Sequence, residues 1–323
     1  MTTAPLSVLV VDRHWEWYRT ALGEAFPELE VCAAPSFGEA ASQLPITQVL
    51  LTMGVPLPGL HFTSDIAAAM PRLEWVQCLL SGPDHIRRAL AGRHEVMITT
   101  VAGIHGPQVS EMALLHMLAL GRGMRRTLRN QDASRWERTP QRILEGRVVG
   151  ILGVGAVGTH LGRLAHALGM RVYGFSRRPR AVAGVERMFP RDALIQIAPQ
   201  LDFLVSLLPL EADTHHLVGA QVLAAMKPTA YLLNLGRGGV VDEAALVAAL
   251  RAGAIAGAGL DVFETEPLAP ESPLWQMENV IVTAHLAGHH DLYAEQTMSV
   301  LKPNLRAFID GRRDQMMNVV GGV

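Results

Sequence analysis

A strand, a glycine-rich turn and a helix follow one another near the middle of the chain, and this order constrains the fold more than any other feature. The apolar run at residues 147–152 predicts a buried strand, and residues 156–168 predict a helix that ends at Gly169. The turn between them reads Gly-Val-Gly-Ala-Val-Gly. A Gly-x-Gly-x-x-Gly pattern is a weak signal alone, but in this position it predicts a dinucleotide-binding βαβ unit.

The residues of this turn have separate expected roles. Gly153 permits the tight turn, and Gly155 lets a pyrophosphate approach the backbone. Gly158 allows the helix to pack closely on the strand. The amides of Ala156 and Val157 then face the phosphates at the helix N-terminus. The alternative interpretation is a glycine-rich turn that binds no ligand.

The rest of the chain alternates short apolar runs with helical patterns, which predicts parallel sheets with crossover helices. At 323 residues the chain exceeds the usual size of one core, so two domains are expected. We therefore predict an α/β fold with two Rossmann-like or flavodoxin-like parallel-sheet domains and a cleft between them. The expected NAD(P)-binding Rossmann domain covers residues 102–290, and a discontinuous substrate-binding domain covers residues 1–101 and 291–323. Besides the central unit, strands are predicted at 7–12, 29–33, 48–52, 73–79, 96–101, 171–175, 202–208, 231–234, 257–261 and 280–283, and helices at 14–26, 37–44, 107–125, 243–251 and 292–309.

Composition and short motifs argue against several classes of function. A net charge of −2 gives no electrostatic footprint for nucleic acid or an anionic membrane surface. The two cysteines lack metal-site spacing, and the pairs His215-His216 and His289-His290 stand in no recognisable ligand motif, so no metal is expected. The N-terminus has no signal-peptide pattern and the apolar runs are too short to span a bilayer, so we expect a cytoplasmic protein.

The strand after the glycine turn indicates which dinucleotide is used. NAD-preferring Rossmann sites usually place an acidic residue at the end of that strand, where it binds the ribose 2′-hydroxyl. Here Ser176 occupies the position, and Arg177 and Arg178 follow it. A serine does not repel a phosphate and the two guanidinium groups can bind one, so we predict NADP (NADPH) in preference to NAD. A solvated basic turn is the alternative.

Three polar residues follow predicted strands in the last third of the chain, and they carry the expected chemistry. Arg237 lies in Asn-Leu-Gly-Arg-Gly-Gly, Glu266 in Asp-Val-Phe-Glu-Thr-Glu-Pro and His285 in Thr-Ala-His. Because the carboxyl ends of parallel strands meet at one edge of a sheet, these side chains should lie together. The arginine can bind a carboxylate and polarise a carbonyl, the histidine can donate a proton, and the glutamate favours the imidazolium form. Beside a nicotinamide, these are the groups that reduction of a 2-keto acid requires.

The order and local motifs of these residues resemble those of the D-isomer-specific 2-hydroxyacid dehydrogenase family, and residues 146–311 resemble its nucleotide-binding core. The resemblance implies that Arg237, Glu266 and His285 are the catalytic residues. It also implies that Asp261 holds the nicotinamide carboxamide. Further cofactor contacts are implied at Leu208, Pro209, Thr214 and Leu235.

The resemblance extends into the first domain. Residues 77–85 are similar to the family loop whose backbone amides hold the substrate carboxylate. This similarity implies that Ser81 and Gly82 bind substrate together with Arg237 and His285.

Several residues depart from the family pattern. Ala284 stands where a proline usually precedes the histidine, and His289 occupies a position that is more often small. Pro83 removes one amide from the expected carboxylate loop, and Thr100 replaces a more common asparagine. These changes put the choice of substrate in doubt more than the activity. Ser176 in place of an acid points to the glyoxylate/hydroxypyruvate reductase branch.

The sequence thus predicts an oxidoreductase that reduces glyoxylate or hydroxypyruvate to the D-2-hydroxy acid with NADPH. Its expected partners are small 2-keto and 2-hydroxy acids and a second copy of the chain, since the resemblance implies a homodimer through residues 107–125. Neither nucleic acid nor a membrane is expected as a partner. Two alternatives remain: an NAD-dependent D-lactate-type dehydrogenase for a bulkier 2-keto acid, and a non-catalytic dinucleotide sensor similar to a corepressor.

Overall fold

The computed structural model describes residues 5–321 and divides them into two compact units. The first unit takes in the described residues up to Ile104 and from His290 onward, and the second spans His105–His289. The predicted domain boundaries, after residues 101 and 290, differ from these by a few residues.

Thirteen strands and ten α-helices make up most of the regular structure of the described residues. The strands are β1 Ser7–Val11, β2 Glu30–Ala34, β3 Val49–Thr52, β4 Trp75–Cys78, β5 Met97–Thr100, β6 Val148–Leu152, β7 Arg171–Ser176, β8 Arg187–Pro190, β9 Phe203–Ser206, β10 Tyr231–Asn234, β11 Gly257–Leu260, β12 Val280–Val282 and β13 Val319–Gly321. The α-helices are α1 Trp15–Ala25, α2 Ser64–Ala68, α3 Asp84–Ala89, α4 Gly106–Gly121, α5 Met124–Asp132, α6 Ala156–Ala167, α7 Leu194–Ile197, α8 Ala220–Ala225, α9 Glu243–Arg251 and α10 Tyr293–Ile309. Short 3₁₀ helices occur at Leu44–Ile46, Arg191–Ala193, Ala198–Gln200, Gly238–Val240, Pro273–Trp275 and Arg313–Gln315.

The first unit is built on a six-stranded sheet with the order β13-β5-β4-β3-β1-β2. Neighbouring strands are parallel except at the edge, where β13 pairs with β5 in the antiparallel direction. The apolar side chains of β1 are buried throughout, since this strand runs between β2 and β3. The C-terminal helix α10 packs into the same core, with Met298, Leu301 and Leu305 buried among residues of β1, β3 and β4.

The second unit is built on a seven-stranded parallel sheet with the order β12-β11-β10-β9-β6-β7-β8. The chain runs from β6 outward to β8, crosses back over β6, and then runs from β9 outward to β12. The strand order therefore reverses between β6 and β9. In open α/β sheets, ligands bind at such a point, beyond the carboxyl ends of the strands. The loops after β6, β9, β10, β11 and β12 all begin at this edge.

The prediction of two parallel-sheet domains is confirmed, but two helical predictions need correction. The helix predicted at 37–44 is wrong, since residues 37–43 form successive turns ahead of the 3₁₀ helix Leu44–Ile46. Gly38 weakens a helix here, and Pro45 lacks the amide that a longer helix would use. The helix predicted at 107–125 ends at Gly121, because Gly123 takes a φ of +56° and α5 begins after it.

The sequence pattern did not predict seven of the strands and α-helices of the described residues: α2, α3, α5, α7, α8, β8 and β13. Of these, α5, β8 and β13 contain no buried residue. The helices α2, α3, α7 and α8 span only four to six residues each, too few for a helical repeat of apolar residues to be recognised. Residues 5–321 contain no helix with the length and apolar character that crossing a bilayer requires.

Candidate active site

The loops after β6 and β9 pack against each other where the strand order reverses. Gly153 has a φ of +104°, and a Cβ added there would lie 3.1 Å from Leu208 Cδ2 and 3.3 Å from the carbonyl group of Leu207. A Cβ on Gly158 would lie 2.3 Å from the carbonyl oxygen of Gly153. The packing of the turn therefore requires glycine at 153 and 158, independently of any ligand.

Gly155 differs from these two glycines. No described atom lies within 4 Å of the position that a Cβ would take there, so internal packing does not require glycine at 155. The residue is the N-cap of α6 and provides no side-chain cap for the helix amides. The first amides of an α-helix, here those of Ala156, Val157 and Gly158, have no partner inside the helix. Open backbone beside a helix N-terminus fits the pyrophosphate of a dinucleotide.

The loop after β9 carries three of the residues expected at the adenosine. Leu208 is buried in the core of the unit, and Pro209 is exposed. Thr214 is fully buried, and its Oγ1 donates to the Pro209 carbonyl at 2.8 Å and accepts from the Glu211 amide at 2.7 Å. Thr214 therefore fixes the shape of this loop. Leu235, at the end of β10, is 7% exposed and packs beneath the sheet edge.

Strand β7 ends at Ser176, whose Oγ is buried and has no hydrogen-bond partner among the described residues. Native structures rarely leave a buried hydroxyl unpaired, so this atom calls for an explanation. A ribose or phosphate oxygen at the end of β7 would complete its hydrogen bonding. The atom thus fits the adenosine end of a dinucleotide.

Arg177 is held by two carboxylates from the loop after β9. Its Nε donates to Asp213 Oδ2 at 2.8 Å, and its Nη2 donates to Asp213 Oδ1 at 2.6 Å and also to Glu211. Arg191 donates from Nη1 to the same Asp213 Oδ2 at 3.0 Å, while its Nε is buried and has no hydrogen-bond partner within residues 5–321. The hydrogen bonds from Arg177, with the charges of both arginines, hold the pKa of Asp213 below its usual range. These side chains form a charge network around the end of β7.

Arg178 takes no part in this charge network. The side chain is exposed and makes no hydrogen bond or ion pair with another described residue. The two arginines that were predicted to bind a 2′-phosphate are thus in different states: Arg177 is already paired, and Arg178 is available.

The segment that carries Arg237 lies between two other loops and touches both backbones. A Cβ on Gly236 would lie 2.5 Å from the carbonyl oxygen of Leu208. A Cβ on Gly238 would lie 1.9 Å from both the carbonyl carbon and the carbonyl oxygen of Phe263. Glycine is therefore necessary on either side of Arg237, because it allows the loops after β9, β10 and β11 to meet.

The Arg237 side chain is half-buried and presents one free edge. Its Nη1 donates to the Gly236 carbonyl at 2.9 Å, and Asn234 Nδ2 donates to the Arg237 carbonyl at 3.1 Å. The Nε and Nη2 groups make no hydrogen bond with a described residue. This edge of the guanidinium has the geometry to bind a carboxylate or a carbonyl oxygen at two points.

Glu266 and His285 form a hydrogen-bonded pair at the same edge of the sheet. His285 Nδ1 lies 2.8 Å from Glu266 Oε2, and Glu266 Oε1 accepts from the Phe263 amide at 3.0 Å. Burial raises the pKa of Glu266, but the hydrogen bonds from His285 and Phe263, with the charges of His285 and Arg237, outweigh it and leave the pKa below its usual value. Glu266 is therefore ionised at neutral pH, and it orients an imidazole whose Nε2 makes no hydrogen bond with a described residue.

The backbone at His285 takes a φ of +53°, in the left-handed region that non-glycine residues seldom occupy. Its amide donates to the Asp261 carbonyl at 2.8 Å. The Asp261 side chain, which is fully buried, accepts from the amides of Leu286 at 2.9 Å and Ala287 at 3.0 Å. Asp261 thus anchors the backbone of the His285 segment, and its contact with a nicotinamide carboxamide stays a prediction.

Ser81 and Gly82 lie in the first unit, in the loop between β4 and α3. Ser81 is exposed and Gly82 is half-buried, with its carbonyl accepting from Cys78 Sγ at 3.8 Å. Pro83 is the N-cap of α3. The structure groups the three catalytic candidates in the second unit and places the predicted carboxylate loop in the first.

His216 has two carboxylate neighbours that the sequence did not indicate. Its Nε2 lies 2.8 Å from Glu264 Oε1, and one potential ligand atom from each of His216, Asp242 and Glu264 lies within 4.8 Å of the others. Both carboxylates also accept from backbone amides: Asp242 caps α9 by accepting from the Ala245 amide, and Glu264 accepts from the Glu243 amide. The expectation that no metal is bound stays a prediction.

Three residues near the site were missed from the sequence as functional. Asp213 and Arg191 meet across 22 positions of the chain, and His116 reaches Thr283 across 167 positions. None of the three stands in a recognised motif. Only their long-range contacts connect them to the site.

The chain is similar to known proteins in both sequence and fold. The family model described as D-isomer specific 2-hydroxyacid dehydrogenase, NAD binding domain, matches residues 114–287. Glyoxylate/hydroxypyruvate reductase B from Pectobacterium carotovorum subsp. carotovorum is 32% identical to this chain over 94% of this chain and 95% of its own length.

Two solved structures share the fold over 98% of both chains. A D-isomer specific 2-hydroxyacid dehydrogenase family protein from Aeromonas salmonicida subsp. salmonicida superposes with a TM-score of 0.87 and 31% identity. An NADPH-dependent glyoxylate/hydroxypyruvate reductase from Sinorhizobium meliloti, solved with NADP and sulfate, superposes with a TM-score of 0.80 and 29% identity. By sequence over most of its length and by fold, this chain belongs to the D-isomer-specific 2-hydroxyacid dehydrogenase family.

Proposed function

We propose that this protein reduces a small 2-keto acid of the glyoxylate or hydroxypyruvate type to the D-2-hydroxy acid, with NADPH as its preferred cofactor. The observation that carries the proposal is the meeting of the loops after β10, β11 and β12. These loops bring a guanidinium with a free edge and a histidine–carboxylate pair to one edge of the sheet. The names of the relatives support the small-acid substrate class.

Each of the three side chains has a distinct role in the proposed reaction. Arg237 binds the substrate carboxylate through its free Nε and Nη2 edge and polarises the keto oxygen. His285 donates a proton from Nε2 to that oxygen, and takes it back in the oxidation direction. Glu266 is ionised and accepts from His285 Nδ1, so it orients the ring and leaves Nε2 for the substrate. When bound, the dinucleotide supplies the hydride to the keto carbon.

The residues that would hold the dinucleotide surround the reversal of strand order. The pyrophosphate would lie on the turn and the helix N-terminus, and Asp261 would lie on the nicotinamide side. The proposed pyrophosphate contacts are Gly153, Gly155, Ala156, Val157 and Gly158, and those flanking the rest of the dinucleotide are Leu208, Pro209, Thr214 and Leu235.

The preference for NADPH rests on the end of β7. Ser176 offers an unpaired hydroxyl and Arg178 an unpaired guanidinium among the described residues, where an acidic residue would repel a 2′-phosphate. Arg177 adds a second cation when Asp213 releases it. One observation favours NADH as a second candidate: Asp213 and Glu211 already neutralise Arg177.

The first unit is proposed to contribute to substrate binding. Ser81 and Gly82 are proposed to hold the substrate carboxylate through their backbone amides.

Helices α4 and α5 are proposed to form a homodimer interface in the cytoplasm, since apolar side chains on these helices and just after them are exposed to solvent. The exposed apolar residues are Leu115, Leu118, Met124, Leu128 and Trp136.

The proposal is tested by initial rates with NADPH and NADH in parallel, across glyoxylate, hydroxypyruvate, pyruvate and phenylpyruvate. We expect oxidation of NADPH to be fastest with the two small acids. Faster turnover with NADH would overturn the cofactor preference and leave the chemistry standing. Binding of both cofactors without turnover of any acid would contradict the proposed function and favour a dinucleotide sensor.

A further inference from the structure

A fully buried histidine lies beneath the His285 segment. His116 of α4 has its Nε2 3.4 Å from Thr283 Oγ1, and its Nδ1 is buried without a partner among the described residues. A Cβ added to Gly259 of β11 would lie 2.7 Å from His116 Nδ1 and 3.0 Å from His116 Cγ. Glycine at 259 therefore makes the room that the imidazole occupies.

The directions of the hydrogen bonds follow from the chemistry of the groups. The Thr283 hydroxyl donates to Asp261 Oδ1 at 2.5 Å. The Thr283 oxygen is then free to accept, so the donor to it is His116 Nε2–H. Burial lowers the pKa of His116, although the charge of Asp261 opposes this effect. The imidazole is therefore neutral, with its proton on Nε2 and a bare Nδ1 beside Gly259.

This chain of hydrogen bonds ends at the backbone of the proposed proton donor. Asp261 accepts from the amides of Leu286 and Ala287, and its own carbonyl accepts from the amide of His285. These three bonds hold His285 in its left-handed conformation, which persists only where the surroundings impose it. The orientation of the Asp261 carboxylate therefore affects where the His285 side chain lies.

We propose that His116 is a positioning residue for His285: through Thr283 it fixes the Asp261 carboxylate, and Asp261 fixes the backbone on both sides of His285. The proposal rests on the proposed function only in taking His285 as the proton donor. The hydrogen-bond chain itself does not depend on the substrate or on the preferred cofactor.

Two readouts on the full-length protein test the proposal, and one of them needs no turnover. Hydrogen–deuterium exchange of the peptide containing residues 284–288 reports on the amides that Asp261 holds. In His116→Leu this exchange should rise by about threefold to tenfold, the equivalent of one ordinary hydrogen bond. The kcat for keto-acid reduction should fall by about tenfold, because small displacements of a reacting group are costly.

Three further variants separate positioning from general destabilisation. His116→Gln places an amide donor at the reach of Nε2 and should restore most of both readouts. Thr283→Val removes the link and should reproduce the effect of His116→Leu, with no further loss in the double variant. His160→Leu is the matched control, since His160 lies on α6 and its Nδ1 is also buried without a partner among the described residues. It should leave the exchange of residues 284–288 unchanged.

Equal effects of His116→Leu and His160→Leu, or an exchange increase spread over the whole unit, would overturn the proposal. Additive effects of His116→Leu and Thr283→Val would overturn it as well. A wild-type protein that reduces no 2-keto acid would refute the proposed function instead. The exchange readout would still decide whether His116 holds the His285 segment.

Discussion

Replacement of Gly238 by alanine tests whether the contact between the Arg237 and Glu266 loops positions the catalytic groups. The added Cβ would lie 1.9 Å from the carbonyl carbon and oxygen of Phe263 and 2.4 Å from the amide nitrogen of Glu264. Carbon atoms in contact lie about 3.5 Å apart, so the two backbones must separate by about 1.5 Å. Because the obstacle is backbone, no side-chain rotation can relieve it.

The displacement should reach the proton donor through Glu266. The Phe263 amide donates to Glu266 Oε1 at 3.0 Å, so the carboxylate is attached to the peptide that moves. The bond between Glu266 Oε2 and His285 Nδ1 is 2.8 Å long, and a shift of about 1.5 Å takes it beyond hydrogen-bond range. We expect kcat/KM to fall by about 100-fold, and overpacking to cost about 1–3 kcal/mol of unfolding free energy.

The assay is NADPH oxidation with glyoxylate, together with urea unfolding of the same preparations. Gly239→Ala is the matched control, since its Cβ would come closest to the side chain of Leu210, at 3.2 Å. Leu210 is 48% exposed and can rotate away, so the control should lose much less activity. Equal losses in both variants, or full activity of Gly238→Ala, would refute the argument that this contact sets the position of Glu266.

Four other variants give expectations of three kinds. Glu266→Gln should lower the reduction rate at pH 7 by about 100-fold. Because folding lowers the pKa of Glu266, the wild-type protein should lose stability relative to this variant only as pH falls below the usual glutamate range. Reduction rates and urea unfolding measured against pH check both expectations, and parallel profiles of the two proteins would contradict the role of the carboxylate. Arg178→Gln should raise the KM for NADPH by about tenfold without changing the KM for NADH, whereas Asp213→Asn should lower the KM for NADPH because it frees Arg177. Initial rates with each cofactor give these KM values, and an equal change for both cofactors would argue against a 2′-phosphate contact. Asp202→Ala should cost about 1–3 kcal/mol of unfolding free energy, because it leaves the buried Val148 amide without its acceptor; urea unfolding of this variant should show that loss, and an unchanged midpoint would contradict it.

The sheet edge and the side chains that meet there could be predicted from the sequence, because local patterns determine both. Buried parallel strands appear as short apolar runs, and the residues after them reach the same edge whatever the details of packing. Arg237, Glu266 and His285 each follow such a run, so their meeting could be expected. The requirement for glycine at 153 and 158 could likewise be inferred from the motif.

Other features depend on contacts between distant parts of the chain, which local patterns do not reveal. A basic turn at Arg177 gives no indication that Asp213 and Glu211 face it from another loop. A histidine in a helix gives no indication that Gly259 of a distant strand leaves room for its ring.

The central claim is that His285 delivers the proton in a dinucleotide-dependent reduction, and His285→Gln tests it most directly. Single-turnover oxidation of bound NADPH by glyoxylate should be measured in a stopped-flow instrument for the wild-type protein and the variant, with cofactor affinity from NADPH fluorescence. We predict that the variant binds NADPH with an unchanged Kd and reacts about 100-fold to 10,000-fold more slowly, the range for loss of a general acid. A variant that reacts at the wild-type rate would contradict the account.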